Sequence, residues 1–211
     1  MHLLHHSLLS LSAMLACAAA VPQPPSTLNH RDDTTIARSS HCPSGPYIVR
    51  ISADRATASL ELDTNTLTAK IGPGVPSSQN GWACQFDITV PHARGRYFTV
   101  DGAVYYMALD LHDGNRLNVT TKYTFLTHGG EVYTSVGGSG RINGAFNLRD
   151  TRPREIARPV WSQCGPNVTS AVLRVATTLT LAGVNEGVVA EASLLTHSIG
   201  LRWDSYAANE C

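Results

Sequence analysis

Net charge is the first thing the chain lacks. Sixteen Lys and Arg balance 16 Asp and Glu over 211 residues, and only 15% of the chain is charged. A nucleic-acid binder usually carries a basic surplus, so that class of partner is excluded. Aromatic residues are scarce at 7%, yet a hydrophobic fraction of 43% is too high for a disordered chain. Convincing amphipathic helices and internal repeats are absent, and beyond the N-terminal region no apolar run approaches membrane-spanning length. Cys-x-x-Cys, zinc-finger His spacing and His-Glu-x-x-His are also missing, which removes the common zinc frameworks. The length suits one neutral globular domain with a real core.

The N-terminus reads as an address. Residues 1–20 hold no Lys, Arg, Asp or Glu, and Leu8 to Ala20 is almost wholly apolar or small. That pattern fits a signal peptide with a small-residue cleavage site, expected after Ala19 or Ala20, although the usual positive leader is replaced by His2, His5 and His6. The alternative, a membrane anchor, would need to cross ~30 Å of hydrocarbon, and this run is short for that. The mature protein is therefore expected outside the cell, released from the membrane.

Secretion changes the reading of the cysteines. Cleavage removes Cys17 and leaves Cys42, Cys84, Cys164 and Cys211. An even count in a secreted domain implies two disulfides, and four cysteines allow three pairings. Nearest-partner pairing gives Cys42–Cys84 and Cys164–Cys211, one clip at each end of the domain. Each closes a long loop, for which chain entropy predicts ~4 kcal/mol as an upper-side figure. Asn118-Val119-Thr120 and Asn167-Val168-Thr169 are N-glycosylation sequons, usable if exposed.

Residues 21–41 are rich in Pro, Asp, Thr and Ser without apolar periodicity, and read as a disordered leader or pro-segment. From Cys42 to Cys211 the pattern has period two. Tyr47, Val49 and Ile51 share a face, as do Leu60 and Leu62, and Phe86, Ile88 and Val90. Tyr105, Met107, Leu109 and Leu111 form another, and so do Leu117, Val119, Thr121, Tyr123 and Phe125, which turns Asn118 outward. Leu173, Val175, Leu179 and Leu181 continue the theme, and so do Leu195, Ile199, Leu201 and Trp203. Strict alternation marks half-buried antiparallel strands. Gly72-Pro73-Gly74, Asp101-Gly102, Asp113-Gly114-Asn115, His128-Gly129-Gly130, Gly137-Gly138-Ser139-Gly140 and Asn143-Gly144 read as turns. The fold class is all-β: one antiparallel β-sandwich or distorted barrel, stapled by disulfides.

An ordered set of short motifs runs through this domain: Cys42-Pro43-Ser44-Gly45, Ser52-Ala53-Asp54-Arg55, Ile71-Gly72-Pro73-Gly74, Cys84, Trp161-Ser162-Gln163-Cys164-Gly165, Leu201-Arg202-Trp203 and Cys211. In this order they resemble a family of secreted fungal proteins defined as a domain of unknown function, DUF4360. The resemblance implies a secreted, cysteine-bridged β domain and carries no activity with it.

Direct signals of chemistry are thin. Gly137-Gly138-Ser139-Gly140-Arg141 departs from a nucleophile elbow where Arg141 replaces the last Gly, and reads as a hairpin tip. Asp110, His112 and Asp113 bunch together, which could suit a cation but equally marks a polar hairpin end. Glu61 and Asp63 share a strand face, a pairing that glycosidases use and that exposed β faces show without function. Trp82, Trp161 and Trp203 could stack on sugars, but packing against the disulfides is the plainer role. Arg149, Arg152, Arg154 and Arg158 form an arginine-rich run that could contact an acidic glycan or simply be solvated. No catalytic residue, metal or cofactor is assigned. The expectation is a non-enzymatic secreted binding domain contacting wall polysaccharide or an extracellular protein, with the arginines as the candidate surface. The alternative is an extracellular hydrolase acting on a polysaccharide, which would require a concave pocket of convergent polar groups.

Overall fold

The computed structural model describes residues 38–40, 42, 47–62, 67–127, 130–151, 154–155, 160–183 and 187–205. The expected signal peptide, most of the expected leader, and Cys211 lie outside these residues.

The described chain is built of antiparallel strands: β1 (Arg38–Ser40), β2 (Ile48–Ile51), β3 (Thr57–Glu61), β4 (Thr68–Ile71), β5 (Gly81–Pro91), β6 (Arg96–Leu111), β7 (Arg116–Phe125), β8 (Glu131–Ser139), β9 (Ile142–Asp150), β10 (Arg154–Glu155), β11 (Ser170–Ala182) and β12 (Ala190–Ser205). A front sheet has the order β2-β3-β12-β6-β9, with β4 also on β12, and a back sheet has the order β1-β5-β11-β7-β8-β10. The expected two-layer β architecture is borne out. Ser77–Gln79 forms the 3-10 turn between β4 and β5.

Period-two patterning places the core between the sheets. Phe86, Ile88 and Val90 on β5, Leu173, Val175, Leu179 and Leu181 on β11, and Leu117, Val119, Tyr123 and Phe125 on β7 are all buried. From the front sheet Leu60, Tyr105, Met107, Leu109 and Leu111 meet them. At about 25 cal/mol per Å² of apolar area this burial is the main favourable term of folding.

Several turn expectations are corrected by the topology. Asp113-Gly114 is a turn, but β6 and β7 do not pair across it, because they belong to different sheets. Gly137–Ser139 lies within β8, paired with Arg116–Asn118, and the short link through Gly140 and Arg141 leads into β9 of the other sheet. Asn143-Gly144 lies within β9, and Asp101-Gly102 within β6. At Gly102 a Cβ would stand 2.7 Å from the Asp150 carbonyl oxygen, so the close approach of β9 requires glycine.

Strand β12 departs from simple alternation. The sequence puts Leu195 on the face of Ile199 and Leu201. Instead the pairing with β6 shifts between Leu194 and Thr196, leaving one extra residue on β12. Ala192 and Leu194 are buried before that bulge, His197, Ile199 and Leu201 after it, and Leu195 is only half-buried. One extra residue reverses the parity of a strand. The carbonyl of Leu195 accepts the Leu62 N–H at 3.0 Å.

The core contains a polar centre that spans both layers. Tyr105 Oη donates to Thr121 Oγ1 at 2.8 Å and lies 2.6 Å from Thr134 Oγ1. Thr121 and Thr177 hydroxyls are 3.0 Å apart. Tyr123 Oη meets Thr134 at 3.2 Å and His197 Nε2 at 2.8 Å. The rings of Tyr105 and His197 stack at 4.5 Å. Burial drives the His197 pKa down to about 3, so the imidazole is neutral when folded, and burial pushes the Tyr123 and Tyr105 phenols up.

Covalent tethering secures the beginning of the domain. Cys42 is bonded to Cys84 on β5 with Cα atoms 4.6 Å apart, as expected. Arg38–Ser40, within the span read as leader, pairs with Gln85–Asp87 of the same strand, and Tyr47 packs edge-on to Phe86 at 4.9 Å. Cys164 is disulfide-bonded as well, and its expected partner Cys211 lies outside the described residues.

Two outcomes are expected. His197 keeps its neutral form in the fold well below its unfolded pKa near 6.5, so its contribution to stability is complete above that pH and falls away as pH drops toward 3. Urea titrations at pH 6.5 and 4.5 should show the wild type losing about 2 kcal/mol more than His197→Phe, and parallel losses would refute the assignment. Replacing Cys42 and Cys84 together by Ser should lower stability by about 2–4 kcal/mol, and an unchanged melting midpoint would show the bridge to be idle.

Candidate functional site

The outer face of the front sheet is where strand register gathers polar groups from distant parts of the chain. Side chains at paired positions project to the same side, so each set of partners forms a row across the strands. One row runs Lys70, Glu191, Asp110, Asn143. The next runs Thr68, Ser193, Ala108, Ala145. Beyond it lie Glu61, Thr196, Tyr106, Asn147, and then Ser59, Ser198, Val104, Arg149.

Hydrogen bonds fix these rows. Lys70 Nζ meets Glu191 at 2.8 Å, and Asn143 Nδ2 donates to Asp110 Oδ1 at 2.9 Å. Thr68 and Ser193 hydroxyls are 2.7 Å apart, those of Ser59 and Ser198 3.1 Å, and Arg50 pairs with Glu61 at 2.9 Å. In the second row the side chains are short. Ala108, Ala145 and Ser193 therefore floor a trough between the Lys70–Asn143 row and the row carrying Tyr106 and Asn147. An open depression of about 500 Å³ lies here, lined by Ala108, Asp110, Asn143, Gly144, Glu191 and Ser193 among others. The strands that line it, β12, β6 and β9, span about 10 Å at ~4.8 Å spacing. Tyr106 is 39% exposed, an aromatic surface beside the trough.

The back sheet shows a different outer face. Arg174 grips Asp87 with two bonds of 2.8 Å, and this raises the guanidinium pKa further. Glu131 accepts from Tyr133 at 2.6 Å and from Lys122 at 3.0 Å, and these two bonds hold its carboxyl below the usual range. Asn118 is exposed here, opposite Gly137 on one side and Thr180 on the other. Asn167 is exposed in the turn that precedes β11.

The candidates read from sequence are dispersed. Arg149 sits on the outer face of the front sheet, whereas Arg154 lies in β10 of the back sheet, and Arg152 and Arg158 lie outside the described residues. Asp110 belongs to the trough, and His112 Nε2 stands 3.9 Å from its carboxylate. Among the described residues no three His, Cys, Asp or Glu side chains are grouped to hold a metal. Glu61 is engaged by Arg50, and Asp63 is outside the described residues. Trp82 and Trp203 pack against the core, and Trp161 meets Tyr97 edge-on at 4.8 Å beneath the Arg202 guanidinium. Tyr106, Asn147, Glu191 and Lys70 were not singled out in the sequence, and Asn143 stood there only as a turn residue. Alternation in β6 marks Tyr106 as outward, but only the register reveals its neighbours.

The sequence profile of the domain of unknown function DUF4360 matches residues 36–205. The chain belongs to this family. An uncharacterized secreted protein of Arthroderma benhamiae is 29% identical to it over 168 residues, a match spanning 77% of this chain and 66%, just under two thirds, of that protein. The expectation of a secreted DUF4360 protein agrees with that relative, and no helix among the described residues is long and apolar enough to cross a membrane. Among solved structures, a carbohydrate-binding module, TmCBM61 with β-1,4-galactotriose, is 9% identical, covering 81% of this chain and 88% of its own at a TM-score of 0.31. A structure of infectious bursal disease virus is 10% identical, covering 90% of this chain and 41% of its own at a TM-score of 0.34. Likenesses this weak say nothing about what the DUF4360 domain does.

Proposed function

We propose that the protein is a non-enzymatic, extracellular polysaccharide-binding domain that lays a sugar chain across the outer face of the front sheet. The observation that carries this reading is the small-residue trough between the Lys70–Asn143 row and the exposed Tyr106. A polysaccharide presents apolar ring faces and hydroxyl edges. Tyr106 suits the former, since aromatic faces stack on apolar surface, and the amides, hydroxyls and carboxylates of Asn143, Asn147, Ser193, Asp110 and Glu191 suit the latter. Open clefts with few well-placed polar groups are what such recognition uses. The hydrolytic alternative fits less well. Asp110 is exposed and bonded to Asn143, and Glu191 is ion-paired with Lys70, whereas a general acid is usually raised in pKa by an apolar pocket. An arginine-led surface fits less well too, because Arg149 and Arg154 lie on different sheets.

Within this reading the signal peptide is removed, Cys164 pairs with Cys211, and Asn118 and Asn167 carry glycans. A glycan on Asn118 would cover the back sheet and leave the front sheet open.

Two experiments test these proposals. In pulldown with insoluble wall polysaccharides, Tyr106→Ala should weaken binding about tenfold, matching ~1.4 kcal/mol of lost stacking, at an unchanged melting midpoint. Ala108→Phe should block the trough. Binding by neither protein nor variants, or equal binding by all, refutes the site. Peptide N-glycosidase should lower the mass of secreted protein, and Asn118→Gln should remove one glycan; a mass identical before and after treatment refutes the modification.

A further inference from the structure

A second feature lies at the opposite end of β12, roughly 40 Å of strand from Glu191. The β2–β3 connection, the β5–β6 connection and the end of β12 converge there. Asp54, Arg55, Ala93, Arg96 and Trp203 line a small pocket of about 90 Å³, close to three water volumes.

Arg55 occupies a position that does not suit it. Its φ is 58°, and among the described residues it is the only non-glycine in the left-handed region. The turn is closed by its N–H to the Ser52 carbonyl at 2.7 Å, and glycine is the residue that such geometry favours. The surroundings hold it there. The Trp203 indole N–H donates to the Arg55 carbonyl, and the Leu201 N–H donates to the Ala56 carbonyl at 2.8 Å. A strained residue held by its surroundings is a pointer to function.

The charges of the pocket are unbalanced in a specific way. Arg96 lies over the Trp203 ring at 5.9 Å, which aims the guanidinium without neutralising it. Neither Arg55 nor Arg96 has a carboxylate within salt-bridge distance among the described residues. The one acid in the wall is turned to its own loop. Asp54 accepts the Ser52 hydroxyl at 2.6 Å and the Ala56 N–H at 3.0 Å, and these bonds, the hydroxyl foremost, hold its carboxyl below the usual range. Asp204, nearby on β12, accepts the Ser205 N–H at 2.8 Å.

We propose that this pocket binds a single oxyanion group, a carboxylate or a sulfate or phosphate ester, in the fork of Arg55 and Arg96 against Trp203. Arginine offers planar paired donors matched to such groups, and the volume admits one of them. The site is separate from the trough and stands or falls independently of it.

The test uses the full secreted chain, with Trp fluorescence and calorimetry as readouts and inorganic sulfate, inorganic phosphate and trigalacturonate as probes. At least one probe should bind saturably, and the pattern among the three separates carboxylate from ester recognition. Arg55→Gly and Arg96→Gln should each weaken that binding tenfold or more, with Arg141→Ala as a control that leaves it intact. Because glycine relieves the backbone, Arg55→Gly should melt at the wild-type temperature or a few degrees above it. Absence of saturable binding by every probe, or binding by both pocket variants as tight as the wild type's, overturns the proposal. A markedly lowered midpoint for Arg55→Gly also overturns it, since Arg55 would then be a structural residue.

Discussion

Three polar rings in the middle of an apolar layer set the terms for the rest of this fold. Tyr105 and His197 enter from the front sheet and Tyr123 from the back, and Thr121, Thr134 and Thr177 receive or share their hydroxyl bonds. Outside such a network each group would cost several kcal/mol to bury. Inside it each ring demands that strands from both sheets stand at one height and one parity. A one-residue slip of β7 would turn Thr121 and Tyr123 to solvent and cost Tyr105 its Thr121 acceptor. The apolar residues drive the two layers together, and the polar centre selects which of many oily arrangements is native.

That fixed alignment is what makes the outer faces orderly. Because β6 and β12 run side by side for most of their length, positions far apart in sequence fall into straight ranks. The same device yields two unlike surfaces. On the back, charges are satisfied by neighbours within the sheet, as in the Arg174–Asp87 fork. On the front, a rank of short side chains leaves space for something else. Function can therefore be sought on the face whose polar groups border an empty strip rather than on the face that is closed upon itself.

How much of this was legible beforehand follows from the same physics. Inward faces of β5, β6, β7 and β11 could be read directly, because burial on one side imposes alternation. Cys42–Cys84 could be read from proximity in sequence. Strand β9 could not be read, since Ile142–Asp150 is largely exposed on both sides and carries no alternation. The sheet-crossing links after β6 and β8 look like hairpin turns, because glycine and asparagine supply the same backbone freedom to either. For the candidate site, Asp110 was visible as a polar residue near a strand end. Its rank partners Lys70, Glu191 and Asn143 were not, because only three-dimensional pairing makes them neighbours. The strain at Arg55 has no sequence signature, as any residue may follow aspartate in a turn.

The extra residue at Leu195 means that β12 is specified by its length as well as by its composition. Before it, even-numbered positions face the interior; after it, odd-numbered ones do. A strand that kept every residue but ran on without the bulge would present His197 and Ile199 to water and draw Thr196 and Ser198 inward. For this strand, spacing is inherited information in its own right, and a sequence comparison that closes a gap there would align the wrong faces.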